Sequence, residues 1–550
     1  MVKGTSVDPV TLEVIRQAFV AAADEMKINL TRTSYNPIIY EVLDFSVGLF
    51  DREGRMVSQA AGLPVFLGNL GEAVRVVLAD ASEEISPGDA YLINDTYTTG
   101  THLNDVTLVT PVFIGSDELF GFTASRAHWL DVGARDPGGW LSDTTEIYQE
   151  GIRLRSVRLY ERGEPNRSIM QILRDNVRYN DSVMGDLRAQ IAAGRTGEGR
   201  FNAIIERWGS ETVDKAIAQI HAHGERVTRG EIEKIPDGVY EAEGHLDDDG
   251  VEIDKPKIKV TVTVDGGDMT IDLHGSAEQC VGPVNCGLAG TISACRVALK
   301  AIAAPMSEVS EGSFAPLKVV VPDNCMLNAK EPAPSGVYGF PLITLIDTVW
   351  KALAEAIPDR IPAGHFADLG TLFLFGTEPD SGKPYLHAEP QGGGWGAGSH
   401  GDGESMLVCI ADGDTRNVPV EIIESKYPLR VLRYCLRPDS GGNGRYRGGL
   451  GQYRDYLILD PTARMTSTTE RTTCPPWGLL HGHDGKTGEV VINPGTPQEE
   501  HIKKVSGRRL KAGDVISSRT GGGGGWGNPA ERDPELIERD RKRGYVTTIV

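Results

Sequence analysis

The chain has 550 residues, a length that predicts three to four domains or two large ones. Its 40% hydrophobic and 24% charged residues are typical of a globular protein and exclude a disordered chain. The net charge of −21 argues against nucleic acid or an anionic membrane as the partner, since both repel an acidic protein.

The first predicted element is a helix over residues 8–31. Asp8 followed by Pro9 is typical of a helix start, and apolar residues then recur at helical spacing. Strands are predicted over residues 41–50, 90–94 and 119–125, and helices over most of 165–235. These elements give the first part of the chain a mixed α/β character.

The composition changes near residue 236. Residues 258–264 and 269–273 alternate polar and apolar side chains around a glycine turn, which predicts a β-hairpin. An amphipathic helix is predicted over 342–357, where Pro358 stops it. Strands joined by glycine turns are predicted beyond it. We therefore predict a mixed α/β (α+β), multidomain chain divided into residues 1–235, a β-rich middle domain of 236–330, and a glycine-rich, β-dominated domain of 331–550.

Seven cysteines are scattered along the chain without any Cys-x-x-Cys pair. An odd, scattered set fits reduced thiols better than a disulfide framework or a zinc ribbon. The first residues lack the apolar segment of a signal peptide, and no run of about 18 apolar residues could span a bilayer. We therefore expect a cytoplasmic protein.

The strongest local signal for chemistry lies in residues 94–105. A short apolar strand leads into this loop, where His102 and Asp105 are three residues apart. His128 follows another apolar strand, and two parallel strand ends would bring the three side chains together. Two imidazoles and a carboxylate with open coordination positions suit a catalytic divalent metal ion. Asp44, among apolar neighbours in the first predicted strand, is a further candidate because a buried carboxylate needs a partner.

Each of these residues also has a structural alternative. A single histidine after a strand is usually a satisfied structural residue, and an aspartate in a Gly-Thr loop is usually a turn residue or a cap. Glu146 and Glu150 are four residues apart and would share one face of a helix. They are candidates for general acid–base catalysis or for supporting a metal, the alternative being a solvated face.

Three glycine clusters lie near residues 392–398, 441–449 and 521–525. None of them is a Walker A loop, no GxGxxG joins a strand to a helix, and no GxSxG nucleophile motif occurs. Tight turns and close backbone approach are therefore the favoured interpretation. The sequence predicts no nucleotide site on this chain.

Several longer motifs run through nearly the whole chain: Gly100-Thr-His-Leu-Asn-Asp105, Ser125-Arg-Ala-His128, Thr145-Glu-Ile-Tyr-Gln-Glu-Gly-Ile-Arg153, Asn417-Val-Pro-Val-Glu421 and the closing Trp526-Gly-Asn-Pro529. Taken together, these motifs resemble those of the hydantoinase B/oxoprolinase family. The resemblance implies a subunit of a two-part or multi-part enzyme. Its partner would be a hydantoinase A-type subunit with an actin-like ATPase fold, which holds ATP and Mg and phosphorylates a carbonyl or amide oxygen of the substrate. The assembly would be a heterotetramer or larger.

The resemblance also assigns site residues. It implies one or two divalent ions (Zn, Mn or Fe) at His102, Asp105 and His128, with Asp44 as an additional carboxylate. Glu146 and Glu150 fall in the family's Glu-Ile-Tyr-Gln-Glu segment and become candidate catalytic residues.

Two further residues are expected at the substrate. Phe66 stands where many members carry a histidine, which would make the pocket more apolar. Arg153, at the end of its motif, is the second candidate. In a further departure from the family pattern, Trp129 follows His128 where a second polar residue is often found.

The implied function is an ATP-dependent cyclic amide hydrolase that opens a hydantoin, an N-methylhydantoin, oxoproline or a lactam. The metal would supply hydroxide, and Glu150 would move protons. Three alternatives stay open: a subunit of an acetone- or acetophenone-type carboxylase, a non-catalytic scaffold subunit, and a metal-dependent hydrolase that acts alone.

Overall fold

The structure, a computed structural model, describes residues 6–81, 85–116 and 118–547. Within them, helices alternate or pack with four sheets of seven, four, four and five strands. This confirms the predicted α+β, multidomain class. The division at residues 235 and 330 stays a prediction.

The N-terminal part is built on the seven-stranded sheet, in which every neighbouring pair is antiparallel and the strand order is 2-1-5-4-3-6-7. Its strands are β1 (Phe45–Asp51), β2 (Met56–Gln59), β3 (Ala90–Ile93), β4 (Asp105–Ile114), β5 (Glu118–His128), β6 (Val157–Glu161) and β7 (Glu164–Pro165). Its helices are α1 (Pro9–Thr33), α2 (Pro37–Tyr40), α3 (Pro64–Leu67), α4 (Leu70–Ala81), α5 (Thr96–Thr99), α6 (Arg167–Asn176), α7 (Asn180–Trp208) and α8 (Ser210–Ile232), with a 3₁₀ turn at Ile147–Gln149.

Helices cover both faces of this sheet. Helix α1 begins as predicted, because the Asp8 carboxylate accepts the N–H groups of Val10 and Thr11. Its apolar residues and those of α7 pack on one face, against Val47 of β1. Helix α4 packs on the opposite face, against Phe122 of β5. The central strands are therefore buried on both sides.

Two details of the predicted strands were wrong. The first strand begins at Phe45 rather than at residue 41, so Asp44 lies just outside the sheet. Leu43, directly before it, has a left-handed backbone with φ of 65°, which turns the chain into the strand. Strand β5 ends at His128 rather than at residue 125, so His128 lies on the strand itself. The two predicted strands β3 and β5 run in the same direction, as expected, because the unpredicted β4 lies between them and pairs antiparallel with both.

The middle part holds the predicted hairpin, confirmed as β9 and β10, in a sheet of order 11-10-9-8. Helix α10 packs on β8, β9 and α9 of this part. It starts three residues earlier than predicted, at Gly339, and ends at Leu353, before Pro358. The elements are β8 (Gly238–His245), β9 (Lys257–Asp265), β10 (Asp268–Asp272), α9 (Leu288–Ala303), a 3₁₀ turn (Glu311–Phe314), β11 (Leu317–Val320) and α10 (Gly339–Leu353).

The C-terminal part contains two sheets, of order 13-12-16-19 and 14-15-20-17-18, whose apolar side chains share one core. The strands are β12 (Leu372–Thr377), β13 (Pro384–His387), β14 (Leu429–Leu436), β15 (Gln452–Ile458), β16 (Arg464–Ser467), β17 (Glu489–Ile492), β18 (Glu500–Ile502), β19 (Val505–Arg509) and β20 (Val515–Arg519). The helices are α11 (Val420–Lys426) and α12 (Pro534–Lys542), with a 3₁₀ turn at Pro529–Glu531.

The glycine clusters of this part stack backbone against backbone. Gly394 N–H donates to Gly521 O at 2.9 Å, and Gly523 N–H donates to Gly449 O at 2.9 Å. A Cβ on Gly523 would lie 1.9 Å from the carbonyl oxygen of Trp395. The clusters therefore serve close backbone approach, as the sequence predicted.

The α-helices of the described residues are between 4 and 29 residues long. None of them is both long and apolar enough to cross a bilayer.

Gly100, in the loop that leads to His102, tests the packing between the N-terminal and middle parts. Its φ is 73°, and a Cβ there would lie 1.9 Å from the Gly290 amide nitrogen at the start of α9. We expect Gly100→Ala to lower the thermal midpoint at least twice as much as Gly115→Ala. Gly115 also has a left-handed φ, 64°, but a Cβ there meets no described atom within 4 Å, so its cost is only about 1 kcal/mol of backbone strain. Equal midpoints for the two variants would contradict the tight contact.

Candidate metal centre

Three neighbouring strands bring the predicted ligands to one edge of the large sheet. Asp105 is the first residue of β4 and His128 the last of β5, and the two are direct cross-strand partners. Asp44 immediately precedes β1, which pairs with β5, and its carbonyl oxygen accepts the His128 N–H at 3.1 Å. His102 lies one turn before Asp105, whose N–H donates to its carbonyl oxygen. Strands β3, which leads into the His102 loop, and β5, which ends at His128, run in the same direction, so two parallel strand ends bring the ligands together as expected.

The donor atoms of three residues form a nearly equilateral triangle. His102 Nε2 lies 3.1 Å from Asp105 Oδ1 and 3.2 Å from His128 Nδ1, and the third edge, from His128 Nδ1 to Asp105 Oδ1, is 3.3 Å. All three side chains are buried. Ligands held about 2.0–2.1 Å from a tetrahedral ion lie about 3.3 Å apart. The residues therefore fit a divalent metal ion and leave one coordination position open.

Two carboxylates extend this group. Asp44 Oδ2 lies 3.9 Å from His128 Nδ1, and Asp44 Oδ1 is buried without a hydrogen-bond partner among the described residues. Burial raises the pKa of Asp44, to which repulsion from Asp105 and Asp412 adds. Burial and the charge of Asp105 also raise the pKa of Asp412, to about 7. Carboxylates that resist ionisation here lack a cation, which is what a metal ion supplies.

Asp105 itself is held ionised. Burial alone would raise its pKa, but the adjacent His102 and His128 rings lower it below its usual range. The Tyr338 hydroxyl donates to Asp105 Oδ2 at 2.8 Å, so only Oδ1 faces the two histidines. The ring of Tyr338 also stacks on that of His102, with centroids 5.4 Å apart. Tyr338 therefore fixes the orientation of two of the three proposed ligands.

A buried arginine lies behind the triangle. The guanidinium of Arg126 donates to Thr107 Oγ1 at 2.8 Å and to the Asn69 side chain, and its centre is 5.5 Å from the Phe66 ring centroid. Burial lowers the pKa of Arg126 to about 10, which leaves it charged at neutral pH. Its charge interacts favourably with that of Asp105, which opposes the lowering of the pKa.

The open side of the triangle faces a cavity of about 60 Å³. Phe66, Trp140 and Phe373 line it, and the predicted contact of Phe66 with a substrate stays a prediction. Glu389 forms part of the opposite wall, where Arg454 Nη2 neutralises it at 2.8 Å. The cavity therefore has room for water beside the three proposed ligands.

Glu146 and Glu150 do not share a helical face. They flank the short 3₁₀ turn Ile147–Gln149, and Glu146 is exposed whereas Glu150 is buried. Neither lines the cavity. The Glu150 carboxylate accepts the N–H groups of Ser335, at 3.0 Å, and Gly336, at 2.9 Å, just before Tyr338. Glu150 is therefore placed to position Tyr338 rather than to touch a substrate.

Arg153 also lies away from the cavity. Its guanidinium pairs with Glu331 at 2.7 Å and lies 3.5 Å from Asp95. Its charge centre is 5.6 Å from the ring centroid of Tyr97. These contacts join the loop after β3 to residue 331, and the predicted contact of Arg153 with a substrate stays a prediction.

Four residues of the site gave no local signal in the sequence: Trp140, Tyr338, Glu389 and Asp412. Each is more than ten residues from every predicted ligand along the chain and reaches the cavity only through the tertiary fold. Only the position of Tyr338, directly before the amphipathic helix α10, could have indicated a role in the site. The hydroxyl of a tyrosine beside a buried helix needs a hydrogen-bond partner.

Glu150→Gln tests the positioning contact. Burial raises the pKa of Glu150 to about 7, although its hydrogen bonds oppose the shift. At pH 5 we expect the variant to be less stable by about 1–3 kcal/mol, because an amide cannot accept both backbone N–H groups equally well. When the pKa of an acid is higher in the folded than in the unfolded protein, the protein loses stability as the pH rises from the unfolded to the folded pKa. The difference in unfolding free energy between the wild type and the variant should thus narrow between pH 5 and 7, by up to about 1.4 kcal/mol per pH unit. Denaturant unfolding at several pH values measures it, and a constant gap would contradict the raised pKa.

Comparison with known proteins shows which family the chain resembles. A family model described as hydantoinase B/oxoprolinase matches residues 8–529. A relative from Pseudomonas sp. (strain NS671), named as the B-type subunit of a putative D-/L-hydantoinase, is 34% identical over 561 residues, which cover 98% of this chain and 93% of that protein.

Two solved structures share the fold. The crystal structure of ATP-dependent caprolactamase from Pseudomonas jessenii has a TM-score of 0.92 at 27% identity, covering 98% of this chain and 95% of the other. A nucleotide-free acetone carboxylase has a TM-score of 0.91 at 18% identity, covering 98% and 78%, and shows likeness of fold alone. The chain belongs to the hydantoinase B/oxoprolinase family.

Proposed function

We propose that this chain is the metal-dependent catalytic subunit of a two-component, ATP-dependent amidohydrolase that opens a cyclic amide such as a hydantoin or a lactam. The observation that carries the proposal is the triangle of His102, Asp105 and His128, whose edges of 3.1–3.3 Å match the ligand spacing of a divalent ion. The names of the relatives, a B-type hydantoinase subunit and an ATP-dependent caprolactamase, support the substrate class.

The residues divide the work at the site. A bound divalent ion would supply a water of lowered pKa as the nucleophile at neutral pH. His102, Asp105 and His128 hold the ion, Asp44 adds a carboxylate, and Tyr338 keeps Asp105 oriented through its hydrogen bond. Asp412 lines the cavity, whereas Glu150 does not. The pKa of Asp412 is about 7, which suits a group that accepts a proton from the attacking water.

The apolar walls select the substrate. Phe66, Trp140 and Phe373 line the cavity and exclude bulk water. Four carboxylates, those of Asp44, Asp105, Glu389 and Asp412, line the same small space, so an anionic substrate is disfavoured unless cations are bound there. The phosphorylated amide that the partner would deliver is anionic, so it would enter only with the divalent ion bound.

Activation by ATP belongs to a partner. An amide resists attack because resonance delocalises its nitrogen lone pair, and phosphorylation of the carbonyl oxygen removes that protection. This chain carries no Walker A loop and no GxGxxG that joins a strand to a helix. A hydantoinase A-type subunit, in a heterotetramer or larger assembly in the cytoplasm, would hold ATP and Mg and perform that step.

The test is turnover by this chain co-expressed with its A-type partner, with hydantoin, N-methylhydantoin, 5-oxoproline and caprolactam as substrates. We expect ring opening that requires ATP and falls at least 1,000-fold in His102→Ala, together with loss of bound metal. His274→Ala is the matched control, because His274 is exposed and contacts Asp272 far from the cavity.

Three outcomes would contradict the proposal. Turnover only with bicarbonate and a ketone would assign the chain to the carboxylase branch. Full activity in His102→Ala, or no bound metal in an active complex, would favour a scaffold role. Ring opening by this chain without ATP or partner would indicate a hydrolase that acts alone.

Tyr338→Phe tests how the ligands are supported. The variant keeps the stacked ring and removes the hydroxyl that donates to Asp105 Oδ2. We expect about 10- to 100-fold weaker metal binding at unchanged stoichiometry, since partners that orient metal ligands contribute about that much. Calorimetric titration of the metal-free protein with Zn²⁺ or Mn²⁺ measures it. The control is Tyr179→Phe, which removes a hydroxyl that donates to Tyr385 O. This variant should bind metal like the wild type.

A further inference from the structure

A second, larger cavity of about 490 Å³ lies behind helix α3. The helix is a shared wall: Val65 and Phe66 line the metal cavity, whereas Pro64 and Leu67 line the larger one. Helix α9 holds this wall in place, since Ser293 Oγ donates to Val65 O at 2.7 Å. The larger cavity is thus separated from the proposed metal centre by one turn of helix.

The cavity has the size and surface of a small-molecule site. Such sites commonly measure about 300–1,000 Å³ and combine apolar walls with a few polar groups. Its walls come from α1, β2, α3, α8, α9 and the segment 305–314. Its apolar lining includes Val20, Met56, Ile220, Val227, Val297 and Ile410.

The basic side chains of this cavity differ in their partners. Arg16 pairs with Glu13 and Glu308, and Arg296 pairs with Glu311 at 2.7 Å. Lys300 makes no ion pair with any carboxylate of the described residues. Its Nζ donates to Ala304 O, to Ser307 O at 2.7 Å and to Ser307 Oγ at 2.5 Å.

Lys300 therefore lines the apolar cavity with a positive charge that oxygen acceptors solvate but that no carboxylate of the described residues neutralises. Burial lowers its pKa to about 8, so it is still mainly charged at pH 7. A buried charge without a counter-ion is unfavourable, and an anion bound beside it is correspondingly stabilised. The Ser307 hydroxyl is the easiest of the three acceptors to displace, because a side-chain rotation removes it.

We propose that this cavity binds a small carboxylic acid with an apolar body, its carboxylate at Lys300 and its hydrocarbon part among the aliphatic side chains. Ring opening of a cyclic amide converts a neutral ring into an open chain that carries a carboxylate. The open-chain product is then the natural occupant, an assignment that rests on the proposed function. A free aliphatic acid is the other source of the same chemistry.

The test is calorimetric titration of the full chain alone, without ATP or partner, with hexanoate and with hexanamide. The two probes differ in charge and share size and apolar body. We expect hexanoate to bind at least tenfold more tightly than hexanamide, and Lys300→Met to abolish that preference while leaving hexanamide binding unchanged. Lys351→Met, at an exposed lysine of α10 outside this cavity, is the control and should behave like the wild type.

A second variant separates cavity occupancy from folding defects. Ala301→Phe fills the cavity beside Lys300 and should abolish binding of both probes while the thermal midpoint and metal content stay near those of the wild type. N-carbamoyl-leucine and 6-aminohexanoate, as open-chain acids, then distinguish the sources: competition with hexanoate assigns the product. Turnover plays no part, so failure of the proposed function leaves this result interpretable.

Equal affinity for hexanoate in the wild type and in Lys300→Met would overturn the proposal, as would no saturable binding of hexanoate. Displacement of hexanoate by the partner subunit, without binding of either open-chain acid, would assign the cavity to a side chain of that subunit and also overturn it.

Discussion

The site depends on one cross-strand pair, Asp105 opposite His128. In an antiparallel ladder a shift of one residue turns every side chain to the other face of the sheet. The long pairing of β4 with β5, packed by helices on both faces, makes such a shift costly. The apolar core of the N-terminal part therefore fixes the 3.3 Å separation of two donor atoms at its edge.

The surrounding charges follow from that pair. A carboxylate buried between two imidazoles needs donors on its remaining lone pairs and a compensating charge. Tyr338 supplies the donor and Arg126 the charge behind it. Arg126 lies within β5 in the motif that ends at His128, whereas Tyr338 directly precedes α10 in the middle part and belongs to none of the motifs. The cavity is therefore formed jointly by parts of the chain that lie far apart in sequence.

The sequence predicted the local features well. The Asp8 cap, the hairpin of β9 and β10, and the apolar strands that lead into the His102 loop and to His128 are each set by neighbours within a few residues. The family resemblance was needed to bring Asp44 to the same place, because its left-handed neighbour Leu43 has no recognisable sequence signal. The expected common direction of β3 and β5 was confirmed, but the strand β4 that lies between them was missed.

Long-range contacts account for the rest. Glu146 and Glu150 have helical spacing, yet the chain makes only one 3₁₀ turn there, and the N–H groups that Glu150 receives come from residues 335 and 336. Asp412 and Glu389 reach the cavity from the C-terminal part. Spacing cannot report such contacts, since they depend on how the sheets pack.

The central claim is that His102, Asp105 and His128 hold a divalent ion. X-ray absorption spectroscopy of the metal-loaded chain tests it most directly, because the edge and extended fine structure report the ligand types and their distances. The account predicts two imidazole nitrogens and carboxylate oxygen at about 2.0–2.2 Å, with one imidazole lost in His128→Ala. A metal shell without imidazole, or a purified active complex that binds no metal, would contradict it.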